Sequence, residues 1–194
     1  MKTSECDIVI VGVGGQGVIL VSEVIGLAAV MANKSVRGAE THGMAQRGGS
    51  VVNHIRIGCK FGPMVAPGSA DVLLALEPAE ALRFGHFLSP QGVCLVNTQP
   101  ILPVTVTIGQ AKYPPLEKML NLLLQISPNI LAIEATALSK QAGTAQAMNS
   151  VMLGALSKYI PLPEELLLTA LCKVVPPRFL EVNKKAFVLG KAEV

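Results

Sequence analysis

The opening run Asp7-Ile-Val-Ile-Val-Gly-Val, which passes without a break into Gly14-Gly-Gln-Gly17, limits what this chain can fold into more than any other feature. A β-branched run closed by glycines reads as a strand buried on both faces of a parallel sheet. Val18 to Ala32 then has helical length and composition, and Asn33-Lys34 marks its end. Ser35-Val36-Arg37-Gly38 can start a second strand, so the chain opens as a βαβ unit.

The turn between the first strand and the helix, Gly12-Val13-Gly14-Gly15-Gln16-Gly17, fits G-x-G-x-x-G. The first glycine permits a tight turn, the second lets backbone approach a phosphate, and the third lets helix and strand pack closely. The helix N-terminus adds free N–H groups and a partial positive charge. An anion or nucleotide can dock on such a turn. A turn that only packs against another protein chain has the same sequence. A dinucleotide enzyme also places an acid about 20 residues on, to hold a ribose; Arg37 and Glu40 lie near that point, and neither fits it cleanly.

The segment from Gly38 to Gly49 has glycines at 38, 43, 48 and 49 and is expected to be an exposed loop. It gathers Glu40, Thr41, His42, Gln46 and Arg47, with Gly48 and Ser50 beside them, just after the second strand, where an α/β crevice opens. Arg47 next to two glycines suits a phosphate or carboxylate, because its guanidinium fork binds bidentately while the glycines let backbone N–H groups approach. His42 can titrate near neutrality. An interface loop with satisfied hydrogen bonds is the competing explanation. The candidate binding residues are therefore Gly12, Gly14, Gly15, Gln16, Gly17, Glu40, Thr41, His42, Gln46, Arg47 and Gly48, with no catalytic residue among them.

Further along, Ser50 to Ile57 alternates, with Val51, Asn53, Ile55 and Ile57 on one side, which predicts a half-exposed strand. Asp71 to Leu76, Gly92 to Val96 and Ile130 to Ala135 read as core strands, and Val104 to Ile108 as one more. Pro78 to Phe87 and Tyr113 to Ile126 read as helices, and the remainder is mostly helical, punctuated by Pro161, Pro163, Pro176 and Pro177. This alternation predicts an α/β, Rossmann-like fold: a mainly parallel sheet with helices on both faces and a helical C-terminal part, in one domain spanning residues 1–194.

Composition narrows the function. Apolar residues make up 51% and charged residues 15% of the 194 residues, above and below average usage respectively, which predicts a broad apolar surface and self-association when the chain is isolated. The longest apolar stretch, Val18 to Ala32, is interrupted by Ser22, Glu23 and Gly26, so no membrane span is expected. The N-terminus lacks the pattern of a signal peptide, which makes the cytoplasm the default. The net charge of +3 is diffuse and stacking aromatics are scarce, against nucleic-acid binding. Cys6, Cys59, Cys94 and Cys172 form no C-x-x-C pair, and His42, His54 and His86 have no zinc spacing, so neither a self-contained iron–sulfur cluster nor a metal site is expected. A lone Glu134 at a strand end reads as solvated rather than catalytic.

The motif Gly12-Val-Gly-Gly-Gln-Gly, with Gly43-Met-Ala-Gln-Arg-Gly-Gly-Ser-Val-Val, Ala70-Asp-Val-Leu-Leu-Ala-Leu-Glu-Pro, Val96-Asn-Thr, Leu153-Gly-Ala and Phe179-Leu-Glu-Val-Asn, resembles the gamma domain of 2-oxoacid:ferredoxin oxidoreductases, in particular the small subunit of the indolepyruvate type. The resemblance spans nearly the whole chain. It implies an assembly that decarboxylates a 2-oxoacid, here an arylpyruvate, on thiamine diphosphate, passes electrons through iron–sulfur clusters to ferredoxin and delivers the acyl group to coenzyme A. Thiamine diphosphate and the clusters would lie on large partner subunits, since neither Asp7 nor Asp71 sits in a Gly-Asp-Gly setting. The same resemblance implies coenzyme A at the subunit interface, its phosphates meeting Gly14 to Gly17 and Arg47. A free-standing NAD(P)-dependent Rossmann oxidoreductase and a pure scaffold that binds no small molecule are the alternatives.

Overall fold

The computed structural model describes residues 5–40 and 48–194. Its elements in chain order are β1 (Cys6–Val13), α1 (Val18–Met31), β2 (Val36–Ala39), β3 (Ser50–Ile57), β4 (Ala70–Ala75), α2 (Pro78–Arg83), β5 (Leu88–Asn97), α3 (Val104–Thr107), α4 (Leu116–Leu124), β6 (Asn129–Ile133), α5 (Ala135–Ala142), α6 (Met148–Leu156), α7 (Glu164–Val174) and α8 (Leu180–Ala192). The six strands form one sheet in the order β2-β3-β1-β4-β5-β6. The β1–β4, β4–β5 and β5–β6 pairs are parallel, whereas β3 runs antiparallel to both β1 and β2.

Period-two alternation divides each central strand between two cores. Ile8 and Ile10 of β1, Val72 and Leu74 of β4 and Leu95 of β5 pack on one face with buried residues of α1, α5, α6, α7 and α8. Val9, Val11, Leu73, Ala75, Cys94 and Val96 face the other way, onto Ala81 of α2 and Leu123 of α4. Helices on both faces leave no wet side to the central strands, which is why they read as continuous apolar runs.

Three expectations need correction. β2 is not β1's neighbour, because β3 inserts antiparallel between them; the opening βαβ unit therefore skips a strand position. β3 has the predicted bounds, and its second face is half-buried at Val52 and Arg56 but closed at His54, whose ring lies edge-on to Phe87 at a centroid distance of 5.0 Å. Its Nδ1 lies 3.4 Å from the Val65 N–H that donates to it, and burial lowers its pKa. Finally, Val104–Thr107 is a helical turn rather than a strand. The β-branched run favours a strand by propensity, but β6 already occupies the edge of β5, and tertiary context overrides so weak a preference.

At the C-terminal end, α6 and α8 cross with their backbones in contact. A Cβ placed on Gly154 would lie 2.0 Å from the Phe187 carbonyl oxygen, and one on Gly190 would lie 1.8 Å from that of Val151.

Candidate functional site: a glycine loop between two clefts

β1 ends beneath the glycine loop and α1 begins at its far side. Gly12 is buried, and a Cβ there would meet Gln16 Oε1, Leu76 Cβ and Val18 Cγ2 at 3.0–3.1 Å. It packs the loop against the end of β4, where the tight turn leaves no room for a side chain. Gly14 ties the loop to the far end of the 38–49 segment: its N–H donates to Gly49 O at 2.8 Å, and its carbonyl accepts from Gly48 N–H at 3.2 Å. Gly15 is exposed at φ +102° with nothing near its Cβ direction, and Gly17 caps α1 at φ +84°. Both dihedrals lie where L side chains are strained, so glycine is required here for conformation.

Gln16 serves the loop itself. Its Oε1 accepts from Val13 N–H at 2.8 Å, and its Nε2 donates to Leu76 O at 2.9 Å, bracketing the turn against the end of β4. Asn97, at the end of β5, donates to the same carbonyl at 3.1 Å and to Thr136 Oγ1 at 3.3 Å. The ends of β1, β4 and β5 are thereby locked together under the loop, at the carboxyl edge where open α/β sheets bind ligands.

Two clefts flank the loop, sharing Gly15 and Gly17. One, of about 250 Å³, has mainly backbone and apolar walls, with Val13, Val18, Ile19 and Val51. The other, of about 340 Å³, carries polar but uncharged groups: Gln16, Asn97, Gln99, Thr136, Gln146 and Asn149, with Ile101 and Met148. Sequence reasoning missed most of this second wall. Gln16 belongs to the glycine motif and Asn97 to the Val96-Asn-Thr run, but none of Thr136, Gln146 and Asn149 carries a local signal.

The remaining candidates divide. Gly48 is exposed at φ +83° and is held at the loop by Gly14. Glu40, just past β2, lines a separate cleft of about 210 Å³ with Glu23, Gly26 and Gly38, away from the glycine loop. Thr41, His42, Gln46 and Arg47 lie outside the described residues. With β3 between β1 and β2, an acid or arginine at the end of β2 is two strand spacings from β1, roughly 10 Å. That displacement counts against the ribose contact of an NAD(P) enzyme.

A buried acid supports the cleft's outer wall. Glu77 is 1% exposed and accepts from Tyr113 O–H at 2.5 Å, Ile101 N–H at 3.2 Å and Glu80 N–H at 2.9 Å. Burial, and then the Glu77 carboxylate, raise the pKa of Tyr113. Glu80 accepts from Ser50 Oγ and from Arg83 Nε. Among the described residues no group of three His, Cys, Asp or Glu is placed to hold a metal ion. Cys6, Cys59 and Cys94 are buried and Cys172 is half-buried, all as free thiols; burial pushes Cys94 up to about 12. No described helix is long and apolar enough to cross a membrane.

Comparisons with known proteins agree along the whole chain. It is 42% identical over 186 residues to indolepyruvate oxidoreductase subunit IorB of Archaeoglobus fulgidus, covering 95% of this chain and 92% of that protein. It is also 42% identical over 190 residues to the IorB subunit of Thermococcus kodakarensis, covering 96% and 94%. Among solved structures, the gamma subunit of keto/oxoacid ferredoxin oxidoreductase from Geobacter sulfurreducens superposes with a TM-score of 0.71 at 26% identity, covering 97% of both chains. A 2-oxoglutarate:ferredoxin oxidoreductase from Magnetococcus marinus shares the fold at a TM-score of 0.71 and 21% identity; there the matching span, 98% of this chain, makes up 31% of a longer chain. Residues 7–193 match the pyruvate ferredoxin/flavodoxin oxidoreductase family, to which this chain belongs.

Proposed function

We propose that this chain is the small subunit of an indolepyruvate-type 2-oxoacid:ferredoxin oxidoreductase, acting in the cytoplasm as one gamma-type domain over residues 1–194. The observation that carries this reading is the 42% identity to proteins named indolepyruvate oxidoreductase subunit IorB, which extends over nearly the whole of both chains rather than over one motif. Decarboxylation of an arylpyruvate on thiamine diphosphate and electron transfer through iron–sulfur clusters to ferredoxin are assigned to larger partner chains.

This chain's own contribution is the glycine-loop face. Coenzyme A is assigned to the interface there, its phosphates on the backbone of Gly14, Gly15 and Gly17, with Arg47 supplying the positive charge. Gln16 keeps the loop in shape from behind. In the reconstituted complex, Arg47→Ala should raise KM for coenzyme A by roughly ten- to a hundredfold, the loss of one charge-assisted hydrogen bond, with assembly intact. Weakened assembly at unchanged KM would move Arg47 to the subunit interface, and no change in either would remove it from the site.

A further inference from the structure

The polar cleft beside the glycine loop holds a carboxamide that the fold itself does not use. Asn149 is 6% exposed at the start of α6, and among the described residues its side chain forms no hydrogen bond. It nonetheless lines the cleft, and its Nδ2 stands only 2.3 Å from where a Cβ on Gly17 would sit. No side-chain nitrogen or oxygen buried among the described residues lacks a partner, so the unbonded carboxamide of Asn149 opens into the cleft, and its donor is presented there beside the residue that caps α1.

The second half of the arrangement is α1 itself, a helix of 14 residues. Its first intrahelical bond runs from Val21 N–H to Gly17 O at 3.1 Å, so the N–H groups of Val18, Ile19 and Leu20 precede the ladder; Val18 and Ile19 line the neighbouring cleft, which meets the polar one at Gly15 and Gly17. No acidic residue lies in the first turn, and none lines the cleft. We propose that Asn149 Nδ2 and the first-turn N–H groups of α1 together form an oxyanion site, which takes the phosphoryl group of a small ligand whose uncharged, hydrogen-bonding body lies along Asn97, Gln99 and Gln146. The glycine at position 17 does two things for this site. It turns the chain into α1 at positive φ, and it leaves Asn149 the space a Cβ would take. The proposal rests on the reading that the glycine-loop face receives a ligand, and it adds a residue from α6 that the loop motif does not contain.

The test is a titration of the full chain, labelled with nitrogen-15, with inorganic pyrophosphate at constant ionic strength. Saturable shifts confined to the amides of Gly15, Gly17, Val18 and Ile19 and to the Asn149 side-chain amide are expected. Asn149→Asp, which sets a carboxylate where the donor stands, should weaken binding at least tenfold, and Asn149→Ala should weaken it less. Shifts that do not saturate, that map instead to basic residues of α8, or that persist unchanged in Asn149→Asp would overturn the site. Because the wild-type map alone can do so, the result does not depend on either variant folding. Repeating the titration with coenzyme A separates this site from the ligand reading above. Saturation by pyrophosphate but not by coenzyme A keeps the oxyanion site and removes coenzyme A. Saturation by coenzyme A without shifts at Val18, Ile19 and Asn149 does the reverse.

Discussion

Two regions of this molecule depend on glycine for opposite reasons. At the carboxyl edge of the sheet, Gly15 and Gly17 sit at positive φ, and Gly15 has open space where a side chain would be. At the crossing of α6 and α8, Gly154 and Gly190 are within helices, with the partner helix's backbone occupying that space. The loop glycines are needed for conformation and access, and the helical pair for contact. Substitution should therefore damage function at one end and stability at the other.

Gly190→Ala tests the contact end and should have the largest effect. Helix propensity alone would favour alanine by about 1 kcal/mol. A Cβ at 1.8 Å from the Val151 carbonyl oxygen forces α6 and α8 apart, and the obstacle is backbone that cannot rotate away. Overpacking should win, for a net loss of about 3 kcal/mol, or roughly 6–12 °C in melting temperature for a chain of this size. A melting temperature equal to or above wild type would show that the helices adjust freely and would erase the contrast.

At the cleft end, stability should depend chiefly on the buried acid. Tyr113→Phe removes one of the donors to Glu77 and should cost about 2 kcal/mol. It also carries a pH signature. The folded pKa of Tyr113 is raised above the ordinary value of 10.0, so the folded state holds its proton where the unfolded chain has lost it. The associated stability is complete below about pH 10 and is lost as the pH rises toward the folded value. Wild type should lose melting temperature above about pH 10 more steeply than Tyr113→Phe, and parallel curves would contradict the assignment.

Gly15→Ala should have the smallest effect on folding, about 1 kcal/mol for the left-handed backbone alone, since nothing crowds the new methyl group. Its damage should appear instead in KM for coenzyme A in the assembled complex. A large fall in melting temperature would mean that the loop is packed rather than open.

What the sequence disclosed follows the same division between local and distant causes. β1, the glycine turn and α1 are legible because a β-branched run, positive-φ glycines and a helical stretch are local signals. The insertion of β3 between β1 and β2 is not, because strand adjacency depends on partners far along the chain. Val104–Thr107 misleads for the same reason, its propensity overridden by an edge that β6 had filled. Of the site, the loop residues were visible and the opposite wall was not: Asn97, Thr136 and Asn149 come from the ends of β5, α5 and α6, and only folding brings them to Gly17. Gln16 was recognisable as part of the motif, but its role as a bracket depends on the Leu76 carbonyl.

The central claim is that this chain works as a subunit beside chains that carry the redox chemistry. The most direct measurement is 2-oxoacid-dependent viologen reduction by the purified chain, by its large partner subunit, and by the two combined, with visible spectra of each. The chain alone should be colourless and inactive with every 2-oxoacid, and activity with arylpyruvates should need both components. Iron–sulfur absorbance, or thiamine-dependent viologen reduction by this chain alone, would contradict the account.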